Sequence, residues 1–323
     1  MSTAADMTAT AEPAKVALGK SILDRIGNTP MVRFERITAH LPGITLLAKA
    51  EFNNPGGSVK DRPASFIIKD AFDRGELGPS RPGRSLLDAT SGNTGIAYAM
   101  LGAAMQFPVT LCMPANVSPE RKKILQAYGA NIQWSAPDEG SDGAIRLARK
   151  LAAEEGDKFY YADQYGNDNN WRAHYFTTAE EIWFQTEGRV THFVAGLGTS
   201  GTFVGTSRRL RELNRDVKCI SMQPDAAFNG LEGLKHMPTA IVPPIYDEDL
   251  ADRNIWADTE VAYAMAKRLG REEGILVGVS AASNVATALQ IAEEEAAAGR
   301  EAVIVTILCD SADKYLSERF WTE

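Results

Sequence analysis

From residue 45 onward, short apolar runs alternate with stretches in which apolar residues return every three or four positions. The runs at 45–51, 85–90, 108–114, 131–136, 158–164, 192–197, 217–223, 275–279 and 302–309 predict strands. Between them, 64–72, 96–106, 119–129, 144–155, 178–187, 203–213, 259–273 and 284–298 have helical spacing. A β-α-β-α order kept nearly to the end predicts an α/β fold in which helices wrap parallel sheet.

Local punctuation sharpens several of these elements. Ser118 caps a helix that opens on Pro119, where a missing N–H costs nothing. In NNPGGSVKDRP (53–63), Asp61 reads as an N-cap, with Pro63 in the first turn of the helix. Ala64, Ile67, Ile68, Ala71 and Phe72 form that helix's apolar stripe, and Gly75 ends it. The stretch from Pro224 to Arg253 carries four prolines and no periodicity, which marks a functional or mobile segment. The first eighteen residues read as a disordered tail, since they lack the apolar core of a signal peptide.

Composition narrows the class of protein. The 323 residues are about two domains' worth, and 44% hydrophobic content is ample for a buried core. A formal charge of -8 argues against a general nucleic-acid or anionic-membrane binder, either of which needs a basic surface. No apolar run reaches membrane-spanning length, so the expected location is the cytoplasm. Cys112, Cys219 and Cys309 are far apart and lie in apolar runs, so they read as buried free thiols of a reducing compartment. The four histidines are scattered and form no metal pattern.

Ligands of open α/β sheets bind beyond the carboxyl ends of strands, and three turns there are unusual. GLGTSGT (196–202) matches G-x-G-x-x-G, which serves either as a tight turn or as an anion cradle. A dinucleotide site would also want an acidic residue at the end of the next strand, where the chain has Met222 and Gln223. Phosphate binding by the Gly198–Thr202 backbone and by the hydroxyls of Thr199, Ser200 and Thr202 is the better reading. TSGNTG (90–95) is either a capped turn or a carboxylate site, and two hydroxyls, an amide and two glycines exceed what a cap requires. GVSAAS (278–283) offers Ser280, alone no more than an N-cap. Lys60, flanked by glycines just before a helix start, is a candidate to form an imine with a carbonyl; alone it would be a solvated lysine. Lys235 and His236 are either solvent-facing charges or substrate contacts of the irregular segment.

In combination, IGNTP (26–30), NPGGSVKDRP, TSGNTG, DQYGN (163–167), GTSGT and the GVS turn resemble the cysteine synthase family of fold-type II pyridoxal-phosphate enzymes, in this order from about Ile22 to Tyr315. The sulfhydrylase B branch is the most similar, through EGLKHMPTAIVPPIYD (232–247), and the cystathionine β-synthase core is more distantly similar. The resemblance implies two open, twisted, mostly parallel sheets flanked by helices, as in tryptophan synthase β. It implies a smaller mobile substrate domain over 53–165 and a larger cofactor domain from 19–52 with 166–323. It further implies that Lys60 joins pyridoxal 5'-phosphate covalently, that Asn93 contacts its ring, that Gly198, Thr199, Ser200, Gly201 and Thr202 hold its phosphate and that Ser280 faces its ring nitrogen. Thr90, Ser91, Asn93 and Thr94 with Gln164 would receive the substrate carboxylate, and Lys235 would meet a phosphate leaving group. Two departures stand out: NDNNWRAHY (167–175), with Trp171 unmatched, and Ala281–Ala282 in place of serine and glycine.

The implied activity is synthesis of L-cysteine from O-acetyl-L-serine or O-phospho-L-serine and a sulfide donor, by a homodimer with serine acetyltransferase as a candidate partner. The alternatives are β-replacement with homocysteine, a nicotinamide-dependent oxidoreductase built on GLGTSG, and a non-catalytic regulator that keeps the fold.

Overall fold

The computed structural model describes residues 19–322; the tail expected at 1–18 lies outside the described residues. Among the described residues, ten strands form two sheets, of order β1-β2-β10-β7-β8-β9 and β5-β4-β3-β6. The larger sheet comprises β1 (Met31–Arg33), β2 (Ile44–Ala50), β7 (His192–Gly196), β8 (Lys218–Pro224), β9 (Arg253–Ala257) and β10 (Ala302–Leu308). The smaller comprises β3 (Ser85–Ala89), β4 (Val109–Pro114), β5 (Asn131–Ser135) and β6 (Phe159–Tyr161). Every pairing is parallel except β1 with β2, so the fold class is as expected.

Helices cover both faces of each sheet, which is why the central strands are apolar on both sides. On the small sheet, α1 (Asp61–Asp73), α2 (Asn93–Met105) and α3 (Pro119–Ala127) pack on one face and α4 (Gly140–Glu154) on the other. Ala64, Ile67, Ile68 and Ala71 are fully buried, as the stripe predicts, and Phe72 is partly buried. On the large sheet, α8 (Thr259–Arg268) and α9 (Val279–Ala297) pack on one face. On its other face lie α6 (Ala179–Gln185) and α7 (Gly201–Leu213). A short helix, α5 (Asn169–Ala173), runs through a π turn (His174–Thr178) into α6.

Three sequence expectations are corrected. The strand expected at 275–279 is absent: between the left-handed Gly274 and the start of α9, only Val277 pairs, in an isolated bridge to Ser311. Asp61 does not cap α1 but is its first residue, after Lys60, and its Oδ2 is engaged by the Gly56 N–H at 2.5 Å instead of by the helix. Cys309 follows β10 and is only half-buried, unlike Cys112 and Cys219.

Candidate active site

The carboxyl ends of β3, β7 and β10 open on one cleft, and its lining includes Lys60, Thr90, Ser91, Asn93, Thr94 and Gln164 together with Gly198, Thr199, Ser200, Thr202, Lys235 and Ser280. Sequence-predicted residues from six separate segments therefore converge. Gly201 sits beside them as the first residue of α7.

The Lys60 loop is stitched to the large sheet. Ser58 bridges Asp310, and the Val59 N–H donates to the Cys309 carbonyl at 2.8 Å. Burial raises the Asp61 carboxyl to about 7, against the lowering effects of the Gly56 N–H and Lys314. A Cβ on Gly56 would lie 2.4 Å from Asp61 Oδ1, so any side chain there would displace the Asp61 carboxylate.

The turn after β7 has the tight, glycine-bearing form expected of an anion cradle. Ser200 takes a left-handed backbone, φ 72°, unusual for a residue with a Cβ, and its buried Oγ has no hydrogen-bond partner. A Cβ on Gly198 would lie 2.2 Å from the Gly233 carbonyl oxygen, and one on Gly201 would lie 1.9 Å from Asn170 Oδ1. The turn feeds the N-terminus of α7, where backbone N–H groups and the helix dipole favour negative charge. Thr202 Oγ1 lies 3.2 Å from Nε2 of His174, whose Nδ1 meets Thr178 Oγ1 at 2.9 Å. Burial, and next the charge of Arg62, push His174 down to about 3, so a neutral ring stands beside the turn.

One hydrogen-bond chain ties this turn to the TSGNTG loop. Thr94 Oγ1 donates to Gln164 Oε1 at 2.8 Å, and Gln164 Nε2 donates to the Ala89 carbonyl at 2.6 Å. Asn170 Nδ2 then donates to the Gln164 carbonyl at 2.6 Å and to Thr199 Oγ1 at 3.1 Å. Thr90 Oγ1 accepts from the N–H groups of Gly92 and Gly95, so it shapes the loop. The Asn93 amide is held from the large-sheet side, donating to Asp310 Oδ2 at 2.7 Å and accepting from Lys314 Nζ at 3.0 Å.

Lys235 is 6% exposed, which removes the solvent-facing reading, and its Nζ pairs with Asp142 Oδ1 at 2.8 Å. His236 instead bonds Thr239 Oγ1 outside this cleft. Ser280 is the second residue of α9, capped by Gly278, and lines the cleft near Cys309. Burial raises the Cys309 thiol to about 11. Trp171 faces away from the cleft: its indole donates to Asp168 at 3.1 Å, and its ring carries the Arg208 guanidinium at 4.8 Å. Ala281 and Ala282 are fully buried in the large-sheet core.

Sequence reasoning missed Arg121, Glu232 and Tyr315, which also line the cleft, and Asp310 and Lys314, which grip Asn93. Arg121 belongs to a basic helix, PERKK, that reads as solvated, so no local signal marks it. It also missed a buried charge cluster behind the Lys60 loop. Arg62 bonds Glu51 through Nε at 2.7 Å and Glu181 through Nη1 at 2.6 Å, and Lys49 meets Glu181 at 2.6 Å. Burial alone would raise Glu181, but the hydrogen bonds and charge of Arg62 hold it down to about 2. Among the described residues, no group of three or more His, Cys, Asp or Glu could hold a metal ion, and no helix is long and apolar enough to cross a membrane.

The model of one family, described as pyridoxal-phosphate dependent enzyme, matches residues 22–310. A cysteine synthase of Aquifex aeolicus is 47% identical over 306 residues, 94% of this chain and 93% of its own. Cysteine synthase B of Pseudomonas aeruginosa is 44% identical over 297 residues, covering 92% of this chain and 96% of its own. Among solved structures, O-acetyl serine sulfhydrylase isoform 3 of Entamoeba histolytica superposes with a TM-score of 0.89 at 32% identity, over 97% of this chain and 95% of that one. With this agreement over nearly the whole length, the chain belongs to the pyridoxal-phosphate dependent enzymes, in the cysteine synthase family.

Proposed function

We propose that this chain is a cysteine synthase, replacing the β-substituent of O-acetyl-L-serine or O-phospho-L-serine with sulfur from a sulfide donor to give L-cysteine. The observation that carries this is the convergence of Lys60, the 198–202 turn and the 90–94 loop on one cleft, in a chain that matches cysteine synthases over about nine-tenths of its length. The nicotinamide alternative is less favoured, since β8 ends in Met222-Gln223-Pro224 and the first acidic residue, Asp225, lies beyond that proline.

The residues fit pyridoxal phosphate. The orphaned Ser200 hydroxyl, the glycine turn and the α7 N-terminus suit its phosphate, while Ser280, Asn93 and Lys60 suit its ring and aldehyde. When bound, the cofactor supplies a carbonyl that holds the amino acid and a ring system that takes up electron density as the α-proton leaves. Lys60 Nζ would remove that proton from the α-carbon as the β-C–O bond breaks and acetate or phosphate leaves, and would return it after sulfur has added at the β-carbon. Ser91 and the backbone at the start of α2 orient the carboxylate, with Thr90, Asn93 and Thr94 shaping the loop and Gln164 bracing it. Closing the 53–165 domain over the cleft excludes water.

Purified protein should be yellow. Borohydride treatment followed by peptide mass spectrometry should find the cofactor mass on Lys60, and Lys60→Ala should lose at least a thousandfold in cysteine formation. A colourless protein, or the mass on another lysine, rejects the reading. Assays with sulfide, thiosulfate and homocysteine identify the nucleophile. Lys235→Ala should reduce turnover of O-phosphoserine more than that of O-acetylserine, and equal losses remove Lys235 from leaving-group recognition.

The finer assembly is also a proposal. Phe176 and Phe184 expose 59% and 83% of their surface on one helical stretch, which supports self-association into a homodimer. The family resemblance supports a cytoplasmic location and serine acetyltransferase as partner, and co-purification checks that partner.

A further inference from the structure

Arg121 extends from α3 into the mouth of the cleft, with a side chain only 4% exposed. Its Nη1 donates to Glu232, and its guanidinium lies 5.1 Å over the Tyr315 ring. Its Nε is buried with no hydrogen-bond partner, 3.2 Å from the point a Cβ on Gly92 would occupy. An unpartnered N–H donor therefore lies beside the backbone of the TSGNTG loop, in a cleft that Ser91 and the start of α2 also line. Guanidinium N–H groups form a planar fork that matches an oxyanion, and here a carboxylate of the protein already holds one arm. The Glu232 side chain is itself 37% exposed, against 4% for Arg121, so solvent and a ligand can compete with it for the guanidinium.

We propose that Arg121 recognises a small oxyanion at the mouth of the cleft, and that Glu232 is its internal competitor, holding the guanidinium until the anion displaces it. The oxyanion is borne either by the amino-acid substrate, as its carboxylate, or by an anionic second substrate. The inference rests on the proposed function only in naming these two sources, because anion binding needs no turnover.

Inorganic sulfate is the probe, titrated calorimetrically into the cofactor-loaded enzyme at constant ionic strength. Arg121→Met should weaken sulfate binding at least tenfold, and Glu232→Gln should tighten it at least threefold. Lys122→Met, which removes a neighbouring surface cation, should leave it unchanged. The gain in Glu232→Gln cannot come from misfolding, so it keeps the test valid if Arg121→Met folds poorly. Repeating the titration with saturating L-alanine separates the sources. Loss of sulfate binding assigns the site to the amino acid's carboxylate, and retention assigns it to the second substrate. Sulfate affinity that does not rise in Glu232→Gln, or is the same in Arg121→Met as in the unmodified enzyme, overturns the inference. Cysteine formation measured alongside reports on the proposed function separately.

Discussion

His174 shows how a single buried side chain sets part of the acid response. Its folded-state value is pushed down to about 3 from an ordinary 6.5, so as pH falls below 6.5 the unfolded chain takes up a proton that the folded ring refuses. Stability from this group is complete above pH 6.5 and is lost progressively toward pH 3. Asp61 and Asp88, raised by burial to about 7, act in the opposite sense between pH 4 and 7, where the folded protein holds protons that the unfolded chain has released. The two effects mask each other in the intact protein, so a difference measurement is needed. His174→Gln should change the slope of unfolding free energy against pH by about 1.4 kcal/mol per unit between pH 6.5 and 4, relative to the unmodified protein. Denaturant titrations at several pH values check this, and parallel curves refute the assignment.

Whole elements depend on the charge cluster behind the Lys60 loop. Arg62, in the first turn of α1, reaches Glu51 after β2 and Glu181 on α6, while the Glu181 carboxylate accepts from the backbone N–H groups of Asn28 and Thr29. Three separated segments thus meet at one guanidinium. Arg62→Met leaves two carboxylates without their main partner and should cost about 3–5 kcal/mol of stability by chemical denaturation. A cost under 1 kcal/mol would mean that water or Lys49 substitutes for it. Little of this was legible beforehand. Period and caps mark the long helices and the central strands, because burial on both faces demands continuous apolar runs. The edge strands of the larger sheet escape that demand: β1 has three residues, and Arg253, Asn254 and Trp256 of β9 are exposed. The run at 275–279 misleads for the converse reason, being apolar through packing at the start of α9 without joining a sheet.

At the scale of the whole molecule, the cleft was legible where its chemistry sits on the backbone, as in the glycine and hydroxyl turns at 90–95 and 196–202. It was illegible where distant charges close over it, because Arg121 meets Glu232 across 111 residues and Lys235 meets Asp142 across 93. Nothing local distinguishes such residues from solvated ones. The topology adds a constraint in time. Strand β2 pairs along its whole length with β10, and the Lys60 loop hangs on the residues just after β10. Ribosomal synthesis therefore delivers Lys60, the amine proposed to hold the cofactor, long before the residues after β10 that anchor its loop, whereas the small sheet is contiguous in the chain and is free to form first. Vitamin capture should be among the last events of biogenesis. Nascent chains arrested at residue 300 should protect the 85–161 region from protease yet show no absorbance of bound cofactor, and chains released at full length should gain it within the time of β10 docking.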